Sequence, residues 1–113
     1  MHQGTCVWNG ASGAQYTYYI FAAPPNFSAS QDGNYIYSKL VENYWQPIYI
    51  GEGDLRDRTE NHHRAECLAK KGATHVHAHL NASQQDRRRE ESDLLAGYIQ
   101  AYVPAGCNIR PGG

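Results

Sequence analysis

Two short stretches decide the fold: Gly33-Asn34-Tyr35-Ile36-Tyr37 and Pro47-Ile48-Tyr49-Ile50-Gly51. Aromatic and β-branched residues dominate both stretches, and these residue types are enriched in β-strands. We therefore predict strands near 34–39 and 47–51, joined by a turn of about eight residues that contains Asn43 and Pro47. Because the two strands are short and close in sequence, we expect them to pair antiparallel.

The alternation within these strands sorts their side chains onto two faces. Residues two apart in a strand share a face, so Tyr35 lies with Tyr37, and Tyr49 lies with Gly51. Strand pairing then puts Tyr37 and Tyr49 on one surface, with the isoleucines buried behind them. Tyrosine is also a common strand residue, so a purely structural role for these side chains is the alternative.

The residues upstream of this ribbon predict a further pair of strands. Residues that favour strands occupy 5–9 and 16–21, and two glycine-containing turn signals lie between them, a pattern typical of a β-hairpin. A loop containing Pro24-Pro25 follows. We assign residues 1–32 to an N-terminal hairpin and loop extension.

The residues downstream predict two helices and one more strand. Asp54 is a good N-cap residue, and we expect a helix from it to about Lys71, with Gly72 at its C-terminal end. Strict alternation over 74–80 predicts a strand, and residues 84–102 predict the last helix.

The resulting fold class is α+β, with a small central antiparallel sheet flanked by helices. A chain of 113 residues is one domain with little room for a second, so we expect a single domain over residues 1–113 with its core at 33–108.

A net charge of −1 gives the chain no overall basic character. Binding to nucleic acid would therefore have to depend on local patches.

The cysteines and the N-terminus bear on the cellular compartment. Cys6, Cys67 and Cys107 cannot all pair with one another and lack the spacing of a zinc site, which favours free thiols in a reducing, intracellular setting. The N-terminus lacks the features of a signal peptide, and no apolar stretch is long enough to cross a membrane. We expect a cytoplasmic protein without membrane contact.

The first predicted helix directs two polar residues toward the core. Its core-facing positions are Leu55, Arg58, His62, Ala65 and Ala69. Arg56 lies nearly opposite and is expected to be solvated. An arginine on the inner side is costly to desolvate unless it meets an anion, which predicts a bound anion near Arg58. A salt bridge from Arg58 to an acidic side chain is the alternative.

The last predicted helix places a carboxylate among apolar residues. Its apolar stripe consists of Leu94, Leu95, Tyr98, Ile99 and Tyr102. Glu91 falls near the centre of this stripe, whereas Glu90 is turned away from it by about 100°. Glu91 is therefore a better candidate for a metal ligand than its exposed neighbour. The alternative is that Glu91 pairs with Arg87, one turn earlier.

Taken in order, these motifs resemble the GIY-YIG nuclease family, and the resemblance covers roughly residues 33–108. The matching motifs are Tyr35-Ile36-Tyr37, Tyr49-Ile50-Gly51, Leu55-x-x-Arg58, His62, Glu91-x-x-Leu94-Leu95, Pro104 and Asn108. The first motif lacks the glycine that is usual in the family. That glycine is a backbone preference, so its loss removes no chemical group.

The resemblance implies metal-assisted hydrolysis of DNA phosphodiester bonds. Tyr37 would activate or orient the attacking water, and Arg58 would bind the scissile phosphate and stabilise its developing charge. Tyr49 and His62 would hydrogen-bond the phosphate or the nucleophile, with His62 as a second candidate base. Glu91 would hold one Mg²⁺ or Mn²⁺ ion. Asn108 would brace the site from the C-terminal segment.

Further basic residues are candidates for a surface that contacts DNA. They are Arg56, Arg64, Lys70 and Lys71 near the first helix, and Arg87 and Arg88 at the start of the last one. Cations at a helix N-terminus oppose the macrodipole, so the second group does not stabilise its helix. Neighbouring acidic residues offer an alternative explanation. Branched or nicked DNA is the expected partner, and a domain this small calls for a homodimer or a partner protein that targets it.

Three alternating histidines, His75, His77 and His79, form a separate set. Alternation puts them on one strand face, with Val76, Ala78 and Leu80 in the core. Such histidines can bind Zn²⁺ or copper, although a flat strand spaces them widely, and a solvated or DNA-facing strand is favoured instead. Two alternative functions therefore stay open: a DNA-binding module that does not cut, and a small metal-binding protein built on these histidines.

Overall fold

The computed structural model describes residues 2–110, and these residues contain five β-strands, three α-helices and one 3₁₀ turn. The strands are β1 Thr5–Asn9, β2 Gln15–Ala22, β3 Asp32–Val41, β4 Tyr44–Asp54 and β5 His75–Leu80. The helices are α1 Leu55–Glu60, α2 Ala65–Lys71 and α3 Gln84–Gly97, and the 3₁₀ turn spans Ile99–Ala101. All strand pairs are antiparallel, in the order β1-β2-β5-β3-β4. The predicted α+β class with a central antiparallel sheet is confirmed.

The β3–β4 ribbon is longer than predicted. Its turn consists of Glu42 and Asn43, both with positive φ (52° and 70°), so the predicted eight-residue turn is wrong. Two residues with positive φ make the tight hairpin turn that matches strand twist. Pro47 lies inside β4 beside a register shift, opposite Ser38. Proline has no backbone N–H to donate to a neighbouring strand. It is tolerated here because β4 is an edge strand and because the regular pattern of hydrogen bonds is interrupted at the bulge.

The predicted helix from Asp54 to Lys71 is broken in two. Asp54 caps α1 by accepting the backbone N–H of Asp57 at 3.0 Å, and Gly72 ends α2 with φ of 78°, as predicted. Between the helices, Nδ1 of His62 accepts the backbone N–H of Arg64 at 2.9 Å. The imidazole takes the place of a helical carbonyl as acceptor, and the chain turns before α2 begins.

The C-terminal part folds back onto the sheet. Ser83 caps α3 by accepting the N–H of Asp86, and α3 ends at Gly97, five residues before the predicted end at Tyr102. The N–H of Cys107 then donates to the carbonyl of Ile48 at 2.8 Å. The segment after the last helix therefore lies along the outer edge of β4.

The two faces of the sheet carry separate hydrophobic cores. One core packs the tyrosine face against α1 and α2 and contains Tyr35, Tyr37, Ile48, Leu55, Leu68, Val76 and Ala78. The other packs against α3 and contains Trp8, Tyr18, Ile36, Ile50 and Leu94. Tyr37 pairs directly with Tyr49, and Ile36 with Ile50 behind them, as predicted. The prediction is wrong for Ile48, which packs with the tyrosines because the register shifts beside it. Leu80 is 62% exposed, so its predicted place in the core is wrong.

A disulfide joins Cys67 in α2 to Cys107 in the C-terminal segment, with a Cα–Cα distance of 5.9 Å. The prediction of free thiols is therefore wrong for these two residues, and Cys6 is the free cysteine. The two bonded cysteines are 40 positions apart in the sequence, and the return of the C-terminal segment to the sheet brings them together. The cysteines thus give no argument for a reducing compartment.

The strands near the N-terminus continue the main sheet. β1 pairs with β2, and β2 also pairs with β5, so β2 lies inside the sheet. The assignment of residues 1–32 as an addition to a smaller core stays a prediction. Among residues 2–110, no helix has the length and apolar character needed to cross a membrane.

Candidate active site

Three tyrosine rings and a glycine form the centre of the candidate site. The ring of Tyr35 stacks on that of Tyr49, with centroids 6.1 Å apart, and meets that of Tyr37 edge-on at 6.0 Å. The ring of Tyr35 also covers Gly51, where an added Cβ would lie 2.6 Å from Cζ of Tyr35. The glycine therefore leaves the space in which Tyr35 packs.

Arg58 extends over the next glycine of the same strand face. A Cβ on Gly53 would lie 2.6 Å from Nε of Arg58. The side chain is exposed, so the prediction that it points into the core is wrong, because α1 is short and Arg58 lies in its last turn. Burial raises the pKa of Tyr49 and of Glu91, and the charge of Arg58 opposes both rises. No salt bridge among residues 2–110 involves Arg58.

His62 lies buried against the tyrosines. Its ring meets the Tyr49 ring edge-on at 4.5 Å. Since Nδ1 accepts the N–H of Arg64, the neutral ring carries its hydrogen on Nε2, which faces the Tyr35 hydroxyl at 3.3 Å. Burial, and then the charges of His63, Arg58 and Arg64, lowers the pKa of His62 to about 4. At neutral pH, His62 is therefore a hydrogen-bond donor to Tyr35, with neither nitrogen free to accept a proton.

A cavity of about 270 Å³ opens beside these rings, at the edge of β4. It is lined by Tyr49, His63, Arg64, Glu91, Leu95, Tyr102, Cys107, Asn108 and Ile109. Three separate parts of the chain therefore supply the polar groups of this cavity: β4, the connection into α2, and α3 with the C-terminal segment. Tyr37 is not among the lining residues.

Glu91 is a half-buried carboxylate in this cavity. None of the side-chain hydrogen bonds or salt bridges among the described residues engages it, and Arg87 pairs with Glu52 instead. Burial, and then the charge of Glu52, raises the pKa of Glu91 to about 7, although Arg58 and Arg88 oppose the rise. A half-buried carboxylate without such a partner would be stabilised in its ionised form by a cation.

The donor set for a metal is limited to this one carboxylate. No group of three or more His, Cys, Asp or Glu side chains within residues 2–110 is placed to hold an ion. Mg²⁺ usually binds through one or two carboxylates, with waters and substrate phosphate oxygens completing its octahedron. Glu91 has the donor chemistry that such an ion shared with a phosphate would need.

The C-terminal segment fixes two of the lining residues. Asn108 accepts the N–H of Ile50 at 2.8 Å and donates to its carbonyl at 2.9 Å, next to Tyr49. Nε of Arg64 donates to the carbonyl of Cys107 at 3.0 Å, which leaves the terminal nitrogens of Arg64 for the cavity.

The other basic residues are distributed unevenly. Arg87 is buried and donates to Glu52 at 2.8 Å and to the carbonyls of Asn81 and Ala82, so its predicted place on a DNA-facing surface is wrong. Its helix position faces the sheet, where an acidic partner is available. The remaining candidates lie outside the core: Arg56 pairs with Glu60, Lys70 pairs with Glu66, Lys71 is half-buried and Arg88 is exposed.

Glu90 is more buried than Glu91, contrary to the helical-wheel prediction. Its carboxylate accepts from the Tyr18 hydroxyl and lies 2.6 Å from Nε2 of His79. Because α3 packs over the sheet, Glu90 faces β2 and β5 while Glu91 reaches past the edge of β4. Glu90 thereby fixes the helix that carries Glu91.

The histidines of β5 share one face, as predicted, but this face packs against α3. His77 is fully buried, accepts from Nε1 of Trp8 at 2.9 Å and meets the Trp45 ring edge-on at 4.5 Å. The prediction of a solvated or DNA-facing strand is therefore wrong for His77. His79 is engaged by Glu90 and His75 lies 3.2 Å from the Gln3 side chain, while the Trp45 ring contacts both His75 and His77.

The sequence did not assign a role to Tyr35, His63 or Tyr102. The Tyr-Ile-Tyr alternation places Tyr35 beside Tyr37 and could have marked Tyr35, whereas His63 and Tyr102 depend on the break before α2 and on the return of the C-terminal segment.

Comparisons of the chain with protein-family models, with curated proteins and with solved structures gave no match.

Proposed function

We propose that this chain is a divalent-metal-dependent endonuclease that hydrolyses DNA phosphodiester bonds on a GIY-YIG-like scaffold. The observation that carries this proposal is the cavity at the edge of β4. There a carboxylate without a hydrogen-bond or salt-bridge partner among the described residues, Glu91, lines the same cavity as Tyr49, His63 and Arg64. Phosphodiester hydrolysis needs an anion site, a cation site and a route for a proton, and these groups supply all three.

Two arginines form the anion site. Arg64 is anchored through Nε and lines the cavity, and Arg58 extends over Gly53, two residues along β4 from Gly51. Guanidinium groups bind phosphate oxygens through charge-assisted hydrogen bonds, which also stabilise the charge that develops in the transition state. Arg58 and Arg64 would therefore hold the scissile phosphate between β4 and the connection from α1 to α2.

Glu91 would hold the metal. When bound, Mg²⁺ or Mn²⁺ polarises the phosphate and stabilises the leaving oxygen. Glu91 would bind the metal ion on the α3 side of the cavity. Tyr49, on the β4 side, would orient the attacking water. His62 and Asn108 keep this arrangement rigid, because His62 donates to Tyr35 and Asn108 holds the backbone of Ile50.

The test is cleavage of supercoiled, nicked and branched DNA in Mg²⁺ or Mn²⁺, with Zn²⁺ and a chelator as comparisons. We expect wild type to cut, Glu91→Gln to lose cutting, and Glu66→Gln to keep it. Glu66 is a matched control because it is an exposed helical glutamate on α2 that does not line the cavity. Circular dichroism would show that all three proteins are folded.

Two results would count against the proposal. Full cleavage by Glu91→Gln would remove Glu91 from the site. Binding of DNA by the folded wild type without any cutting would instead indicate a DNA-binding module on this scaffold. The preference for branched or nicked DNA, and the need for a second copy or a targeting protein, would follow from comparing the substrates with and without added partners.

A further inference from the structure

Tyr49 and Tyr37 differ in what their hydroxyl groups can reach. Tyr37 is 6% exposed, and its hydroxyl donates to the backbone carbonyl of Thr59 at 3.5 Å. Tyr49 is half-buried, lines the cavity and has its hydroxyl 3.4 Å from Nε2 of the exposed His63. Of the two, only Tyr49 connects the cavity to a group that can pass a proton to solvent.

We propose that the proton of the attacking water leaves the site through the Tyr49 hydroxyl to Nε2 of His63. This inference rests on the proposed function and assigns its proton route, with Tyr49 as the residue that contacts the water and His63 as the proton acceptor behind it. It replaces Tyr37 and His62, the residues that the sequence suggested for handling this proton.

The two neighbouring histidines have different hydrogen-bond partners. In His62, Nδ1 accepts from the backbone and Nε2 faces the Tyr35 hydroxyl, so both nitrogens are committed. In His63, Nε2 faces the Tyr49 hydroxyl, and the ring stacks on His62 with centroids 4.7 Å apart. The stacking holds the exposed ring of His63 in place beside Tyr49. A distance of 3.4 Å is long for a hydrogen bond, as is common for catalytic contacts before substrate binds.

Tyr35 helps to position Tyr49. The ring of Tyr35 stacks on that of Tyr49, and the Tyr35 hydroxyl faces Nε2 of His62 at 3.3 Å. These contacts hold the ring of Tyr49 so that its hydroxyl lies beside Nε2 of His63.

The proposed step exchanges one phosphorus–oxygen bond for another and moves one proton to solvent. The oxygen of water forms a bond to phosphorus, and the bond from phosphorus to the leaving oxygen breaks, with its electron pair staying on that oxygen. One proton of the water moves to the oxygen of Tyr49 while the hydroxyl proton of Tyr49 moves to Nε2 of His63. His63 releases this proton to solvent, and the leaving oxygen takes one from solvent. Tyr49 is unchanged and never needs to exist as a free phenolate.

The relay avoids a costly intermediate. Burial, and then the charge of Glu91, raises the pKa of Tyr49, while Arg58, Tyr35 and Arg64 oppose the rise. An ionised Tyr49 would therefore be scarce at neutral pH. The neutral Tyr49 hydroxyl can take up one proton from the water and give its own proton away. This requires only that Nε2 of His63 is free to accept a proton.

The activity test compares His63→Gln with wild type on supercoiled DNA in Mg²⁺. We expect kcat to fall about 100-fold or more with KM nearly unchanged, because general-base catalysis contributes about 10²–10⁴-fold. Free imidazole in the buffer should restore part of the activity of His63→Gly. His2→Gln, a change at an exposed histidine far from the cavity, serves as the control. A rise in KM with kcat preserved would overturn the relay.

The pH profile gives a readout that a structural role would not move. The ionisable groups that face His63 are Tyr49 from β4, Glu91 from α3, Tyr102 from the C-terminal segment, and its neighbours His62 and Arg64. No hydrogen bond or salt bridge within residues 2–110 joins His63 to Glu91. We expect the acid-side limb of the wild-type kcat profile to be absent from the profile of His63→Gln. Retention of the limb in His63→Gln would contradict the proposal.

A measurement without substrate separates the relay from the nuclease proposal. In ¹⁵N-histidine NMR spectra, we expect Tyr49→Phe to shift the Nε2 signal of His63 and Tyr37→Phe to leave it unchanged. An unshifted signal in Tyr49→Phe would overturn the relay even if wild type cuts DNA. A wild type that does not cut would overturn the proposed function, and the relay with it, whatever the NMR spectra show.

Discussion

Replacing Gly51 by alanine should destabilise the protein, even though the backbone there accepts alanine. Gly51 has no positive φ, so the loss of chain entropy in the unfolded state alone would stabilise the variant by about 0.4–1 kcal/mol. The new Cβ, however, would lie 2.6 Å from both Cζ and the hydroxyl oxygen of Tyr35, and 2.9 Å from Cε1 of Tyr49. Carbon atoms in contact normally stay about 3.5–4.0 Å apart, so the Tyr35 ring must move by about 1 Å.

The surroundings of Tyr35 allow little movement. Tyr35 is 1% exposed, and the rings of Tyr37, Tyr49 and His62 surround it. Overpacking of this kind costs about 1–3 kcal/mol. After subtraction of the entropic gain, we expect the free energy of unfolding to fall by about 1–2 kcal/mol. Urea denaturation, followed by far-ultraviolet circular dichroism, would measure the change.

A second background tests whether the contact with Tyr35 is the cause. Leucine at position 35 lacks the ring atoms that approach Gly51, so Gly51→Ala should cost much less in a Tyr35→Leu background than in wild type. The reasoning would be refuted by an equal cost in both backgrounds, or by a Gly51→Ala variant more stable than wild type.

Three further predictions concern Arg58, Glu91 and the disulfide. Arg58→Ala should lower cleavage by about 10²–10³-fold, as expected for a group that stabilises transition-state charge. Arg56→Ala removes an exposed partner of Glu60 and should leave cleavage nearly unchanged. Equal losses of kcat in the two variants would contradict this prediction. The raised pKa of Glu91, from 4.5 to about 7, means that the folded state binds its proton more tightly, so the free energy of unfolding should decrease as pH rises through this range. Glu91→Gln should flatten that part of the stability profile, and an identical profile in urea titrations would count against it. Removing the disulfide by Cys67→Ala with Cys107→Ala should destabilise the protein by about 4 kcal/mol, from the closure of a loop of 40 residues, and thermal unfolding with and without reductant would show it.

Local sequence patterns predicted the parts of the fold that depend on near neighbours. Alternation placed Tyr37 and Tyr49 on one face, and the cap at Asp54 and the glycine at Gly72 marked true helix boundaries. The break between α1 and α2 was missed because it depends on one imidazole, His62, which accepts a backbone N–H that a helix would otherwise use.

Contacts between distant segments account for the remaining differences. A helical wheel assumes that the core lies under the apolar stripe, but α3 crosses the sheet so that Arg87 and Glu90 are buried and Glu91 reaches over an edge. Nothing in the sequence around Cys67 indicates Cys107 as its partner, since the C-terminal segment must first return along β4. The role of His63 is hidden for the same reason, because its partner Tyr49 belongs to another element.

The return of the C-terminal segment along β4 has a consequence for how the protein can change over evolution. An exposed edge strand invites pairing with other chains, and residues 107–108 cover part of this one through the backbone of Ile48 and Ile50. The same two residues form a wall of the cavity. Protection against aggregation and the shape of the cavity therefore depend on one short segment, and selection for solubility alone would preserve the geometry of the cavity.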